Sequence, residues 1–291
     1  MRKRRRSLKK SRERHARWQF LSAQIVLWIV TIIVLAPIVW MLLSSLKTRN
    51  EVFHFSWFPE VPQWHNYIEA LRTMNFARYF LNSVFITTVN VVGGTLVASM
   101  AGYAFARLEF PGKKIVFAVV IGTMMLPLAA AMIPSFILFR YLNWIDTYMV
   151  MTIPVILATP GFFIFLMRQY LMSIPKELDD AAIIDGCGFY RIFWSILVPL
   201  AKPAITTIAI YGLAGNWNNL IRPAIFLNSE HMRTVPIGLA LLNTQPEEPI
   251  VKLELLLANS VLFALVPVLF YMAFQRNFTK LGGGLSGITT K

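Results

Sequence analysis

The sequence has one cysteine, Cys187, and four histidines in 291 residues. A single thiol excludes a disulfide framework within the chain and is too little for a thiolate metal cluster. The histidines are scattered through the basic tail and the polar segments without the spacing of metal ligands: His15, His54, His65 and His231. We therefore expect no metal site and no metal-dependent chemistry.

The chain also lacks the glycine-rich loop ending in Gly-Lys-Ser or Gly-Lys-Thr that holds nucleotide phosphates, which excludes an ATPase. Acids are scarce, 14 against 28 lysines and arginines, and they are almost confined to the segments between long apolar runs. A membrane-embedded enzyme would need a nucleophile, metal ligands or paired acids at membrane depth, and no such set is visible. Neighbouring Asp179 and Asp180 are better explained as the start of a helix that faces water.

Long hydrophobic runs dominate what is present. Hydrophobic residues make up 56% of the chain and the mean hydropathy is +0.58, far more apolar than a soluble domain of this size. The sequence therefore predicts a polytopic membrane protein. Six runs are long enough to cross a bilayer, at about residues 18–46, 81–105, 115–141, 148–170, 192–213 and 253–274.

Basic residues are concentrated on one side of this predicted topology. Residues 2–17 carry ten of them against the single acid Glu13, which is most of the net charge of +14. The turns that would share a side with this tail are also basic, and the opposite loops are nearly neutral, so both termini are expected in the cytoplasm. A basic run of this kind can bind nucleic acid, but its place directly before an apolar span favours anionic lipid.

A charged, small-residue segment at 174–203 separates the fourth predicted span from the fifth. Pro175 and the acids after it mark a helix start, because the positive end of the helix dipole favours carboxylates. Spacings of three and four place four residues on one face, where the alanines allow close approach of another surface: Leu178, Ala181, Ala182 and Asp185. Gly186 and Gly188 then permit a sharp turn. Such a helix suits a soluble partner, although an ordinary capped loop has the same pattern.

The residues of this segment resemble the cytoplasmic loop signature of importer-type ABC transporter permeases. The matching positions are Glu177, Asp180-Ala181-Ala182, Asp185-Gly186, Ile196, Val198 and Pro199. Two positions depart from the signature, since Asp180 replaces the usual glutamate and Val198 the usual leucine. The aspartate keeps the charge but shortens its reach by one methylene.

Further segments look like the maltose-type carbohydrate permeases, in particular the smaller, MalG-like member of the permease pair. The second and third spans, the turn at 142–147 and the segment at 233–239 match that group. Trp217-Asn218-Asn219 also matches, although an acid is more usual at Asn219. The glycine-rich end is similar to a carboxyl tail that reaches the ATPase interface in this family.

The resemblance implies an all-α membrane protein with six transmembrane helices and a cytoplasmic coupling helix between the fourth and fifth spans, the type I ABC importer permease. The expected domains are a basic tail (1–17), a transmembrane permease domain (18–276) with a coupling loop at 171–191, and a cytoplasmic tail (277–291). The chain would lie in the bacterial inner membrane. It would be a non-catalytic subunit that pairs with a homologous second permease.

The resemblance also implies the other partners: two ATP-binding subunits, which would hold ATP and magnesium, and an extracytoplasmic sugar-binding protein. Together they would import a sugar or oligosaccharide, either neutral or a uronate, and the sequence does not choose between these. The main alternative is a secondary transporter driven by an ion gradient. Such transporters usually carry ionisable residues within their spans, and here the acids lie in loops.

Two sets of site residues follow. The resemblance assigns coupling to the ATPase to Glu177, Asp180, Ala181, Ala182, Asp185, Gly186, Ile196 and Pro199. Polar and aromatic side chains at or near membrane depth are candidates for the substrate pathway, because amides and ring faces hold sugars: Asn82, Asn90, Tyr211, Asn216, Trp217, Asn218 and Asn219. The alternative is that these residues cap helices or bond across helix contacts.

Overall fold

A computed structural model describes residues 2–54, 56–243 and 252–284, and the regular structure in these ranges is helical throughout. The all-α prediction is confirmed for this part of the chain. The α-helices are α1 (Arg2–Ser44), α2 (Arg49–Val52), α3 (His65–Thr73), α4 (Phe76–Arg107), α5 (Lys113–Thr123), α6 (Leu128–Tyr141), α7 (Tyr148–Leu157), α8 (Gly161–Met172), α9 (Glu177–Ile184), α10 (Phe189–Ile192), α11 (Val198–Leu200), α12 (Lys202–Trp217), α13 (Ile221–Phe226), α14 (Val235–Leu242) and α15 (Leu253–Gly284). A π-helical turn, Phe193–Leu197, joins α10 to α11, and a 3₁₀ turn, Glu230–Met232, precedes α14.

Four helical stretches are long and apolar enough to cross a membrane: Phe20–Ser44, Phe76–Arg107, Tyr148–Met172 and Leu253–Phe274. A fifth candidate is the pair Phe189–Leu200 and Lys202–Trp217, whose two parts are bent by 76°. These five correspond to the first, second, fourth, fifth and sixth predicted spans.

The third predicted span consists of two helices instead of one. α5 ends at Thr123 and α6 begins after Pro127, whose backbone is extended (φ −65°, ψ 132°). A proline has no N–H to donate and disfavours helical geometry in the residue before it, so the break falls at Met124–Pro127. Pro134, by contrast, is accommodated inside α6. The count of six spans therefore stays a prediction.

The two ends of the chain are described only in part. The predicted basic tail is helical over residues 2–17 and runs directly into the first apolar stretch as one helix, α1. The predicted carboxyl tail continues α15 as far as Gly284. Residues 285–291 of that tail and residues 244–251 of the loop before α15 lie outside the described residues.

The chain divides into two compact units, of which the first comprises Met1–Ala70 and Pro249–Val261. Its polar segment after α1 is fixed by side-chain amide and hydroxyl contacts. The Asn66 amide donates to the carbonyls of Ser45 and Lys47, at 2.9 Å each, and the Tyr67 hydroxyl lies 2.7 Å from the Ser45 hydroxyl. These contacts fix the start of the short helix α3 against the end of α1.

The second unit comprises Leu71–Glu248 and Leu262–Lys291, and α4 is its central helix, in contact with α7, α8, α12 and α14. Several small residues of α4 lie in these contacts. Ala98 is completely buried, and a Cβ at Gly102 would stand 2.7 Å from the Met167 side chain and 3.1 Å from the backbone nitrogen of Arg168. Small residues are therefore required for α4 and α8 to approach this closely.

One aspartate closes the turn between α6 and α7 onto the loop after α13. The Asp146 carboxylate accepts hydrogen bonds from the backbone N–H groups of Asn228 and Ser229, both at 2.9 Å, and from the Ser229 hydroxyl. Burial raises the pKa of the Asp146 carboxyl, but the hydrogen bonds from Ser229 and Asn228 outweigh it and hold the pKa below its ordinary value. The ionised Asp146 carboxylate thus holds the turn between α6 and α7 against the loop after α13.

Candidate functional site

The predicted helix after Pro175 is α9, and its first turn carries Glu177, Asp179 and Asp180. The helix ends at a glycine-dependent turn. Gly186 has a φ of +78°, a conformation that disfavours residues with a Cβ, and its N–H donates to Ile183 at 2.9 Å. Gly188 has an ordinary φ of −78°, so the prediction that it too is needed for the turn is wrong.

The two alanines of α9 differ in burial. Ala182 is 5% exposed and lies in the core cluster of this chain with Ile192, Phe193 and Leu197, whereas Ala181 is exposed. Ala182 therefore packs on the chain's own core and Ala181 is left open to a partner, and the assignment of both alanines to coupling stays a prediction. The outward apolar residues are Ile183 and Ile184, 54% and 86% exposed.

The acids that the resemblance assigns to coupling are on the outer surface. Glu177, Asp180 and Asp185 are exposed and form no ion pair with any other part of the chain that the structure describes. Their charges are therefore available to a partner. Two other coupling candidates complete the segment, since Ile196 lies half-buried against the core cluster and Pro199 is exposed at the start of α11.

An ion pair between Asp179 and Arg107 attaches α9 to the end of α4. The Oδ2 of Asp179 lies 2.5 Å from the Nε of Arg107, the last residue of α4, and the two side chains are only 13% and 6% exposed. A nitrogen of the same guanidinium donates to the Ile174 carbonyl at 2.9 Å. Burial raises the pKa of the Asp179 carboxyl above its ordinary value, against the opposing effect of the Arg107 charge.

Sequence reasoning missed the Arg107–Asp179 pair. Both residues were visible, one as the end of a span and the other as part of an acidic first turn, but nothing local relates them. Two tyrosines reinforce the same attachment: the Tyr103 hydroxyl donates to the Phe189 carbonyl at 3.4 Å, and the Tyr170 hydroxyl to the Leu200 carbonyl at 3.3 Å. The segment from 174 to 200 is thus fixed to α4 and α8 at several points.

A second group of candidates meets at a cavity of about 250 Å³ between α4, α7, α8, α12 and α13, whose lining is mainly apolar with a few polar side chains. Four of the residues predicted for the substrate pathway line it: Asn90, Tyr211, Asn216 and Asn219. The Asn90 amide donates to Asn216 Oδ1 at 2.8 Å and to the Met151 carbonyl at 3.1 Å. Its own Oδ1 is buried and has no hydrogen-bond partner among the described residues.

The other three predicted pathway residues lie elsewhere. Asn82 donates to the carbonyls of His231 and Arg233, at 2.9 and 2.8 Å, and accepts from the Tyr148 hydroxyl. Trp217 is 1% exposed and stacks on Phe263, with ring centroids 5.1 Å apart. Asn218 is exposed and bonds back to its own helix. Each of these three has the structural role that the sequence left open as the alternative.

Arg222 is the cavity residue that the sequence reasoning missed. It lies in α13, three residues after Asn219, and both residues line the cavity described above. The available signal was an arginine in the amide-rich segment that follows the fifth predicted span. Elsewhere, no group of three or more histidine, cysteine, aspartate or glutamate residues in the described ranges is arranged to hold a metal ion.

Comparison with known proteins supplies the family. Residues 91–280 match the model described as "Binding-protein-dependent transport system inner membrane component". The arabinooligosaccharides transport system permease protein AraQ of Halalkalibacterium halodurans is 35% identical over 269 residues, which cover 88% of this chain and 95% of the relative. The diacetylchitobiose uptake system permease protein NgcG of Streptomyces coelicolor is 28% identical, over 91% of this chain and 86% of the relative.

Solved structures show the same fold. A chain from the crystal structure of a bacterial ABC transporter that imports the acidic polysaccharide alginate superposes with a TM-score of 0.79 at 24% identity, over 90% of this chain and 97% of that one. A chain from a bacterial alginate transporter bound to its periplasmic protein gives a TM-score of 0.66 at 15% identity, over 90% and 95%. The resemblance found in the sequence is confirmed, and the chain belongs to the family of binding-protein-dependent transport system inner membrane components.

Proposed function

We propose that this chain is the permease subunit of an ATP-driven ABC importer for a sugar or oligosaccharide. With a homologous second permease it forms the translocation pathway, and an extracytoplasmic binding protein delivers the sugar. Two ATP-binding subunits on separate chains bind and hydrolyse ATP with magnesium, so this subunit is itself non-catalytic. The family match and the oligosaccharide permeases among the relatives support this reading, and they give the secondary-transporter alternative no support.

The proposed topology keeps six spans. α5 and α6 together form the third span, broken at Met124–Pro127, and the bent pair Phe189–Leu200 and Lys202–Trp217 forms the fifth. An even number of spans leaves both ends on the same side of the membrane. The basic residues at 2–17 make that side the cytoplasm, where they contact anionic lipid. The coupling loop at 171–191 and the tail at 277–291 then share the cytoplasmic side with the ATP-binding subunits.

One observation supports a coupling role for α9. The helix is fastened to its own protein on one side, through Asp179 and Ala182, while Ile183 and Ile184 are exposed on the other. Exposed apolar residues next to unpaired acids form a surface that a cleft with an apolar floor and basic rim would complement. An unattached loop would not present a fixed surface of this kind.

The attachment also supplies a route for movement. Arg107 and Asn90 lie on the same helix, about 25 Å apart along its axis at about 1.5 Å per residue. A displacement of α9 by its partner is passed through the Arg107–Asp179 pair to α4, and along α4 to the cavity that Asn90 lines. In this mechanism α9 moves as a rigid lever, and Gly186 preserves the turn that aims it.

The test is purification of the tagged chain from its native membrane. The proposal predicts that an ATPase and a second permease copurify, and that one sugar-loaded binding protein raises ATP hydrolysis. Ile184→Asp should remove the ATPase from the complex, while Tyr141→Asp, at an equally exposed residue in α6, should retain it. A chain that purifies alone and takes up sugar on an ion gradient would contradict the proposal.

A further inference from the structure

The lining of the cavity described above includes an arginine whose charge is not neutralised by any part of the chain that the structure describes. Arg222 is partly buried in its lining, and within the described ranges the guanidinium has neither a carboxylate nor a hydrogen-bond acceptor as partner. The backbone N–H of Arg222 donates a hydrogen bond to Asn219 Oδ1 at 3.2 Å, which does not involve the guanidinium. A charge withdrawn from water is unfavourable unless another group pairs with it.

The remaining polar lining is neutral and rich in amides. Asn219, three residues before Arg222, lines the same cavity, where an aspartate would have supplied the missing carboxylate. Asn90 leaves its buried Oδ1 without a hydrogen-bond partner among the described residues, so one acceptor is also unused. Tyr211 adds an exposed ring at the same cavity. The cavity thus combines one unpaired cation, one unused acceptor and one aromatic face.

We infer that this cavity binds an anionic sugar unit, with Arg222 pairing to its carboxylate and the exposed ring of Tyr211 packing against the sugar. The inference rests on the proposed function and narrows its substrate to acidic sugars of the uronate kind. Arginine is suited to this because its planar guanidinium bonds a carboxylate through two N–H groups at once. A neutral sugar would fill the same space but leave the charge unpaired.

The size of the cavity limits what it holds. At about 250 Å³ it is smaller than the roughly 300–1,000 Å³ usual for small-molecule sites, so it accommodates one sugar ring and not a whole oligosaccharide. A single ring at a time fits a passage through which a chain of sugars moves stepwise. Arg222 would then select for the carboxylate carried by each successive unit.

The first experiment measures uptake by the complete transporter in proteoliposomes. The probes are trigalacturonate and the same trisaccharide with its carboxyl groups reduced to alcohols, both delivered by one binding protein. We expect Arg222→Gln to lower the acidic-to-neutral uptake ratio about tenfold, equivalent to about 1.4 kcal/mol. Arg222→Lys should restore part of the ratio, and Asn219→Asp should lower it by neutralising the arginine in place.

Arg140→Gln is the matched control, because it makes the same change at an exposed arginine outside the cavity, at the end of α6. It should leave the ratio unchanged. An unchanged ratio in Arg222→Gln would overturn the inference. So would an equal loss of both probes, which would mean that Arg222 pairs with a carboxylate of the second permease and not with substrate.

A second experiment separates this inference from the proposed function. Equilibrium binding of galacturonate and galactose to the purified chain, followed by calorimetry, needs neither ATP nor the binding protein. We expect galacturonate to bind at least about tenfold more tightly than galactose, and Arg222→Gln to abolish the difference. Binding without ATP-driven uptake would refute the proposed function alone, and equal binding of the two sugars would refute the inference alone.

Discussion

Replacing Asp179 by asparagine should release α9 from α4. The substitution keeps the size of the side chain and removes its charge, so no cavity forms and the change is electrostatic. The Arg107 guanidinium, 6% exposed, then loses the carboxylate that lies 2.5 Å from its Nε and keeps only its bond to the Ile174 carbonyl. An unpaired buried charge is the principal cost.

The size of the effect follows from the burial of the pair. Removing one partner of a buried ion pair costs about 3–5 kcal/mol. The pKa of Asp179 is raised because burial outweighs the attraction of Arg107, so the pair contributes less than a fully compensated one. We therefore expect the lower end, about 3 kcal/mol, which is a factor of roughly 150 in the local equilibrium between attached and released α9.

Amide hydrogen exchange across residues 177–187 measures this equilibrium directly. Exchange in α9 should quicken about a hundredfold in Asp179→Asn, while the middle of α4 should be unaffected. The assembled transporter should hydrolyse more ATP for each sugar it imports, because movement of α9 no longer reaches α4. Combining the change with Arg107→Gln should recover part of the protection, since no charge is left unpaired.

The matched control is Glu109→Gln, which breaks the pair of Lys113 with an exposed glutamate in the turn after α4. Exposed pairs contribute little, so this variant should exchange like the wild type. Unchanged exchange of α9 in Asp179→Asn, or equal effects of the two variants, would refute the reasoning that the buried pair holds the helix.

Three further predictions concern the scaffold around these sites. Gly102→Ala should cost about 1–3 kcal/mol, because its Cβ would meet Met167 at 2.7 Å, whereas nothing lies within 4 Å of a Cβ in Gly122→Ala; thermal unfolding of the assembled transporter compares them. Gly186→Ala should destabilise the turn after α9 by about 1–2 kcal/mol, because its φ is +78°, while Gly188→Ala should be neutral; hydrogen exchange of residues 183–190 reads the difference. The lowered pKa of Asp146 contributes stability that is present above its ordinary value of 3.8 and is lost as the pH falls through the folded-state value. Asp146→Asn should therefore weaken the dependence of thermal stability on pH below about 3.8, and an unchanged pH profile would contradict this role.

The sequence was sufficient wherever a feature is local. Proline and acids predicted the start of α9, and a glycine at the end of that helix predicted the turn at Gly186. Five of the predicted apolar runs coincide with helical stretches that are long and apolar enough to cross a membrane, counting the bent pair Phe189–Leu200 and Lys202–Trp217 as one.

Features that depend on distant parts of the chain were missed. Asp179 and Arg107 are 72 residues apart, and no local pattern distinguishes Asp179 from Asp180 as the paired acid. Periodicity placed Ala181 and Ala182 on one face but could not say which would point to the core. The role proposed for Arg222 depends on the fold, which places this arginine in the lining of the same cavity as Asn90 of a different helix.

The most direct test of the central claim is photo-crosslinking from Ile184 in the assembled transporter. A benzoylphenylalanine at this residue, 86% exposed on α9, should form an adduct with an ATP-binding subunit, and the yield should change when ATP is added. The same probe at Tyr141, 84% exposed in α6, should give no such adduct. An ATPase adduct from Tyr141 but none from Ile184 would contradict the assignment of α9 as the coupling helix.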